Sequence, residues 1–264
     1  MNSPIKYFGG KGTMFKNIIS EFPIEGSYDT YIEPFGGSFS IGLKKEETEI
    51  EIYNDMEQNV YSLYKVLSDK DLFDKFKHKC DLSYYSEQLR KEFKEKLKCD
   101  TLNIVDRAYY FFYVNRTSRN GIGGLNLSTT IRRKMSKSTS DFLSAIDRLP
   151  ELHHRLSKVI ILNRDGTSLI NKHNRDNVFI YCDPPYEQST RTSTRYKVDM
   201  DNDGHKDFIK TVINSNAKIL ISGYDCELYD TLLDNGFTKV QFDVRTVDGK
   251  GRPKTKVETL WKNY

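Results

Sequence analysis

The strongest constraint on the fold of this 264-residue chain is where its strand-forming runs fall. Short β-branched and aromatic stretches at 30–32, 49–53, 159–162, 178–182, 218–222, 236–244 and 257–261 all sit towards its two ends. Helical periodicities lie between several of them. Val60, Leu63, Tyr64 and Leu67 fall at i, i+3, i+4 and i+7 within 57–67. Residues 205–213 and 227–233 read the same way, and Asn235-Gly236 stops the second. Strand–helix alternation at both ends predicts an α/β fold built on an open, mostly parallel sheet, with the last two strands as antiparallel edge strands. From residue 56 to 158 the strand signals vanish, and helical, charged or Gly/Ser/Thr-rich sequence replaces them. The predicted organisation is a discontinuous α/β domain, 1–55 plus 159–264, interrupted by a mostly helical second domain at 56–158.

Composition narrows the class. Charged residues make up 30% and hydrophobic residues 37%, a globular balance, and no apolar run approaches the roughly 20 residues of a membrane helix. The opening "MNSPIKYFGGKGT" lacks the apolar centre of a secretion signal, so a cytoplasmic location is expected. Cys80, Cys99, Cys182 and Cys226 form no CxxC pair and no metal-type spacing with histidine, which predicts free thiols and no metal. The net charge of +4 is modest, but its distribution is uneven. Between Asp106 and Asp141 there is no acidic residue, whereas Arg107, Arg116, Arg119, Arg132, Arg133, Lys134 and Lys137 are all basic. Such a block suits a polyanion.

The strand ends carry the candidate chemistry. In an open parallel sheet, ligands bind at the carboxyl ends of strands. Gly36-Gly37 follows the first strand, and the second ends in Asn54-Asp55, an acid placed to accept ribose hydroxyls. The glycines lack the third member of a dinucleotide fingerprint, so a nucleoside without phosphates fits better. "KYFGGKGT" at 6–13 fails the phosphate-loop spacing, since Ile5 stands where the first glycine belongs. Asp165, after the third strand, reads alone as a helix cap or turn residue. The run Val178–Cys182 stops at Asp183-Pro184-Pro185-Tyr186, which reads either as a Pro-Pro turn or as a rigid platform offering a carboxylate, a fixed carbonyl and a stacking ring.

Taken in order, Lys6-Tyr7-Phe8-Gly9-Gly10-Lys11, Glu33-Pro34-Phe35-Gly36-Gly37, Asn54-Asp55 and Asp183-Pro184-Pro185-Tyr186 resemble the Dam-type (D12 class) DNA adenine-N6 methyltransferases. The resemblance spans the whole chain. It implies a Rossmann-like catalytic domain, an inserted target-recognition domain, S-adenosylmethionine as methyl donor, no metal, and double-stranded DNA as partner of a monomer or weak dimer. It implies cofactor contacts from Tyr7, Lys11, Glu33, Phe35, Gly37, Asp55, Asp165 and Asp183, and stacking of Tyr186 on a flipped base. Phe39 departs from the family's later glycine. "NRTSRNGIGGLN" at 115–126 keeps the Asn-Gly step of GATC-specific members but departs from them at Arg119 and Gly124, which argues against GATC as target.

The chemistry asks for these residue types. An exocyclic adenine amine is a poor nucleophile because its lone pair is delocalised into the ring. Acceptors for its N–H groups, the Asp183 carboxylate and the Pro184 carbonyl, would orient it and localise that pair. A Tyr186 face would offset part of the few kcal/mol that base flipping costs. For DNA, Arg119 is the first expectation for a base or wedge contact and Asn120 the second. Arg116, Arg132, Arg133, Lys134 and Lys137 suit phosphates, as part of a flexible basic loop. Arg191 and Arg195 would touch the strand next to the flipped base, and 248–256 reads first as a solvated hairpin tip and second as a DNA contact. The rival readings are a cytosine-N4 methyltransferase and a non-catalytic DNA-binding protein on the same scaffold.

Overall fold

A computed structural model describes every residue except Phe8, Ile122, 187–198 and 248–252. The chain divides into two compact units. One comprises Met1–Gly10, Gly37–Lys44 and Glu57–Ile161; the other comprises Lys11–Gly36, Lys45–Met56 and Leu162–Tyr264. Among the described residues, no helix is long and apolar enough to cross a membrane.

The second unit is organised by a seven-stranded sheet. Its strands are β1 (Thr30–Glu33), β2 (Ile50–Asn54), β6 (Val178–Cys182), β7 (Lys218–Gly223), β8 (Thr238–Val247) and β9 (Pro253–Lys262), with β5 (Ile160–Leu162), which straddles the boundary between the units, at one edge. The order is β5-β2-β1-β6-β7-β9-β8. β1 pairs in parallel with β2 and with β6, and β6 with β7. β9 runs antiparallel between β7 and β8, so the predicted mixed sheet and its antiparallel end are both present. Alternate residues face opposite sides of each strand. Ile32, Ile180, Cys182, Ile219, Ile221 and Trp261 share one apolar core. It is completed from α8 (Gly166–Lys172), α9 (Asn202–Ile213) and α10 (Glu227–Asp234) by Ile170, Phe208, Val212 and Leu232. Gly236 after α10 has φ +87°, the left-handed stop its sequence predicts. The other face carries Tyr31 and Glu33 on β1, Tyr181 and then Asp183 on β6, Ser222 on β7 and Glu258 on β9.

The first unit is mostly helical. Around α5 (Ile104–Thr117) pack α2 (Gln58–Ser68), α3 (Lys70–Asp81) and α4 (Glu87–Lys96), followed in sequence by α6 (Lys137–Asp147) and α7 (Leu149–Leu156). Asn103 caps α5 by accepting from Asp106 N–H, and the aromatic run 109–113 turns Tyr109, Phe112 and Tyr113 inward. Edge-on contacts Phe76–Phe112, Phe93–Tyr113 and Tyr113–Phe142 lock that helix to its neighbours. One departure from expectation lies within 56–158. Residues Ile131–Arg132 (β3) and Met135–Ser136 (β4) form an antiparallel hairpin. Its two turn residues, Arg133 (φ 52°) and Lys134 (φ 61°), occupy the left-handed region usually filled by Asn-Gly, so the sequence carries no turn signal there.

Candidate active site

The order of the sheet locates a crevice. From β1 the chain proceeds to β2 on one side, and from β6 to β7 on the other, so succession reverses between β1 and β6. At such a switch point the connections leave in opposite directions and open a gap at the carboxyl ends. Those ends deliver Glu33 and Asp183.

Four side chains cluster at those ends. Lys11 Nζ lies 2.6 Å from Asp183 Oδ1, 2.6 Å from Tyr186 Oη and 3.3 Å from Glu258 Oε1. The Lys11 side chain is 3% exposed and that of Asp183 23%. Tyr186 Oη in turn donates to Glu258 Oε1 at 3.3 Å. Burial opposes a charge on Lys11, but the Asp183 carboxylate, Tyr186 and Glu258 more than offset it and hold the amine well above its ordinary value. Burial pushes Glu258 up, against the pull of Lys11, and pushes the Tyr186 phenol well up. With one ammonium between two carboxylates, the cluster carries a net negative charge when all three are ionised. Ser222 Oγ donates to Asp183 Oδ1 at 3.1 Å and lies 2.9 Å from Tyr181 Oη. The Tyr186 ring is buried, with the Tyr224 ring 4.4 Å away.

The neighbouring strand ends are held by one amide. Asn54, fully buried, donates from Nδ2 to the carbonyls of Pro34 (2.8 Å) and Arg164 (2.9 Å) and accepts from Arg164 N–H (2.9 Å). It thereby ties together the segments following β1, β2 and β5, which carry three of the predicted cofactor residues. Glu33 is buried, and its Oε1 accepts from Tyr31 Oη at 2.7 Å. Asp55 is buried and joins Leu162 and Asn163 through its main chain. Gly36 allows close approach, since a Cβ there would lie 2.2 Å from the Tyr53 ring. Phe35 packs edge-on against Phe208 and over Gly166. Asp165 caps α8 through Ser168 N–H at 2.7 Å, the role its sequence alone suggests, and lines a polar depression between α8 and α9. In the other unit, Gly37 has φ +47°, and a Cβ there would come within 2.9 Å of the Tyr7 ring.

The candidate DNA residues belong to the helical unit, where the segment expected to be a flexible loop is instead braced. Arg119 N–H donates to the Gly124 carbonyl, and Asn126 N–H to that of Thr117. Arg90 Nη2 reaches Ser118 Oγ (2.9 Å) and the Gly123 carbonyl (2.7 Å), while Tyr85 Oη donates to the Asn126 carbonyl (2.6 Å). Asn115 bonds both the N–H and the carbonyl of Lys6, each at 2.8 Å. Lys6 Nζ satisfies the carbonyls of Arg116, in the last turn of α5, and Ser118, its C-cap. Burial, with Arg116 nearby, lowers the Lys6 amine to about 8. These partners lie distant in sequence, which is why composition alone suggests a loose loop. On that frame Arg119 and Asn120 (φ 53°) are exposed. Arg116 is instead mostly buried, and desolvation beside Arg148 lowers it to about 10. Asp141, where the acid-free run ends, pairs with Arg132 (2.7 Å) and Lys137 (2.9 Å). Arg133 donates to Ser144 Oγ, and Lys134 is exposed. Arg191, Arg195 and most of 248–256 lie outside the described residues.

Sequence reasoning missed Glu258, Ser222, Tyr224 and the tying role of Asn54. The first three stand on β7 and β9 or just beyond β7, with no motif around them; Asn54 was flanked by a signal read only for Asp55. Among the described residues, no group of three or more His, Cys, Asp or Glu could hold a metal ion.

The model of one protein family, the D12 class N6 adenine-specific DNA methyltransferases, matches residues 7–247. A search of curated proteins finds no match. Among solved structures, the chain is similar to that of a "putative RNA methyltransferase" from Pyrococcus horikoshii, at 12% identity and a TM-score of 0.26. That alignment covers 48% of this chain and 56% of the other, so it spans little more than half of that protein.

Proposed function

The chain belongs to the D12 class of N6 adenine-specific DNA methyltransferases, and from that premise we propose that Asp183, Pro184 and Tyr186 receive an adenine flipped out of duplex DNA and direct methyl transfer to its N6. The observation that carries this reading is the Asp183 carboxylate standing, partly exposed, at the carboxyl end of β6 beside the switch point. An N–H of the target amine donates to that carboxylate and another to the Pro184 carbonyl, which localises the nitrogen lone pair. Proline suits the second task because its ring fixes φ. The nitrogen turns cationic as the methyl arrives and then sheds one proton, for which Asp183 is the adjacent base. The negative balance of the Lys11–Asp183–Glu258 cluster favours that developing positive charge.

S-adenosylmethionine, when bound, supplies the methyl group on a sulfonium sulfur. The donor set fits such a group: buried carboxylates at the ends of β1 and β2 suit an ammonium and ribose hydroxyls, and Gly36 leaves the backbone open to close approach. Glu33, Phe35, Asp55 and Asp165 are proposed to hold it, with Lys11 setting the charge beside Asp183. Arg119, Asn120, Arg133 and Lys134 are proposed to meet DNA, with Arg132 and Lys137 exchanging Asp141 for phosphates. Arg116, largely buried, is proposed to support that surface rather than to contact DNA.

The test is Asp183→Ala. Methylation of DNA falls about 100- to 1,000-fold, as for loss of one preorganised hydrogen-bonding group, while S-adenosylmethionine binding measured by calorimetry stays within about tenfold, the cost of roughly one hydrogen bond. Retained methylation refutes the assignment.

A further inference from the structure

We propose that Glu258 is a positioning residue for methyl transfer, a second carboxylate that receives the Lys11 ammonium when Asp183 turns to the target amine. The inference rests on the role proposed for Asp183. In the structure Asp183 Oδ1 is already engaged, by Lys11 Nζ at 2.6 Å and by Ser222 Oγ at 3.1 Å. Among the described residues Oδ2 stays open to an adenine amine, but an ammonium 2.6 Å from the other oxygen neutralises the carboxylate and weakens it as acceptor and base. Lys11 cannot simply leave for water, since its side chain is 3% exposed. Moving a buried ammonium away from every carboxylate costs more than one amine hydrogen bond returns.

Glu258 removes that obstacle. Its Oε1 stands 3.3 Å from the same Nζ, further than Asp183 but within ion-pair reach, and its side chain is 5% exposed. The ammonium thus has two carboxylate stations about one short displacement apart. At the first it masks Asp183; at the second it stays paired while Asp183 accepts from the base. Tyr186 makes the two stations cooperate. Its Oη accepts from Lys11 and donates to Glu258, so movement of Lys11 towards Glu258 keeps Lys11, Tyr186 and Glu258 bonded to one another. Among the described residues, the charged and titratable groups acting on Glu258 are Lys11, Asp183 and Tyr186, and of these only Lys11 is cationic. The proton balance is unchanged by the shift: Lys11 remains an ammonium throughout, and Tyr186 keeps its proton.

Sequence context gives no hint of this role. Glu258 lies on β9, one strand beyond β7 and well after the motif residues, and an acid on an antiparallel strand at the polar end of a sheet reads as solvated. Burial and the 3.3 Å contact with Lys11 assign it.

Glu258→Gln tests the idea, with methyl transfer from labelled S-adenosylmethionine to unmethylated genomic DNA as the readout. The substitution keeps shape and hydrogen bonding but removes the charge. Turnover at saturating substrates falls tenfold or more, while the KM for S-adenosylmethionine stays within threefold. In a Lys11→Met background the same substitution changes turnover less than twofold, because the residue acts through Lys11. A Glu258→Gln enzyme within twofold of the parent overturns the proposal, as does an equal loss in both backgrounds. Should Lys11→Met not fold, Glu258→Asp decides: restoring the charge returns at least a third of parental turnover, and a rate as low as that of Glu258→Gln overturns the proposal. Failure here is distinct from failure of the functional reading, which falls if Asp183→Ala still methylates DNA.

Discussion

Replacing Asn54 with alanine probes how this chain holds the ends of its strands together. The side chain satisfies three main-chain groups: the carbonyls of Pro34 and Arg164 and the N–H of Arg164. Arg164 is exposed, so water replaces its two lost bonds at about 1 kcal/mol each. Pro34 is buried, and its orphaned carbonyl costs about 2 kcal/mol. The sum is about 4 kcal/mol, which for a chain of this length lowers the thermal midpoint by about 10 °C. Because the freed segments carry Phe35, Asp55 and Asp165, proposed to hold S-adenosylmethionine, its affinity also falls, by at least about tenfold for a single lost carboxylate contact. Differential scanning calorimetry gives the first quantity and titration calorimetry the second. Asn54→Asp is no rescue, since it sets an acceptor against two carbonyls. A midpoint within about 2 °C of the parent, with unchanged affinity, refutes the claim that one amide ties these strand ends together.

Other expectations are equally open to measurement. Gly36→Ala drives a Cβ to within 2.2 Å of the buried Tyr53 ring, so unfolding free energy drops by about 1–3 kcal/mol or more, and a drop below about 0.5 kcal/mol in urea melts contradicts the packing. Replacing Arg133-Lys134 by Asn-Gly relieves two left-handed backbones, raising stability by about 1–2 kcal/mol while weakening DNA binding; unchanged binding in a gel-shift titration rules out a DNA role for the hairpin tip. Lys6, lowered to about 8 by burial and Arg116, titrates near there by lysine-selective NMR rather than near 10.5. Its folded value lies below its unfolded one, so its penalty is present below pH 8 and is relieved as pH rises from 8 towards 10.5. Stability relative to Lys6→Met rises over that window, and a flat difference contradicts the assignment.

Much of the α/β unit is legible in the sequence because its signals are local. The run 178–182 matches β6 residue for residue, and Asn235-Gly236 marks the end of α10 where Gly236 turns left-handed. The strand end before Asp183 is legible for the same reason, since a hydrophobic strand ending in Pro-Pro needs no distant partner to be seen. What surrounds it is not. Glu258 reaches Lys11 only because β9 inserts between β7 and β8, a pairing that no periodicity encodes. The bracing of 115–126 by Lys6, Tyr85 and Arg90 depends likewise on contacts between distant segments, and Arg116 looks like a surface cation until its burial is known. The β3–β4 hairpin escaped notice because its turn residues are ones that seldom adopt positive φ.

The most direct test of the central claim is the product itself. DNA from cells expressing this chain, digested to nucleosides and resolved by mass spectrometry, contains N6-methyladenine that is absent from DNA of cells expressing Asp183→Ala. N4-methylcytosine in its place, or no methylated base with a folded enzyme and S-adenosylmethionine supplied, contradicts the account.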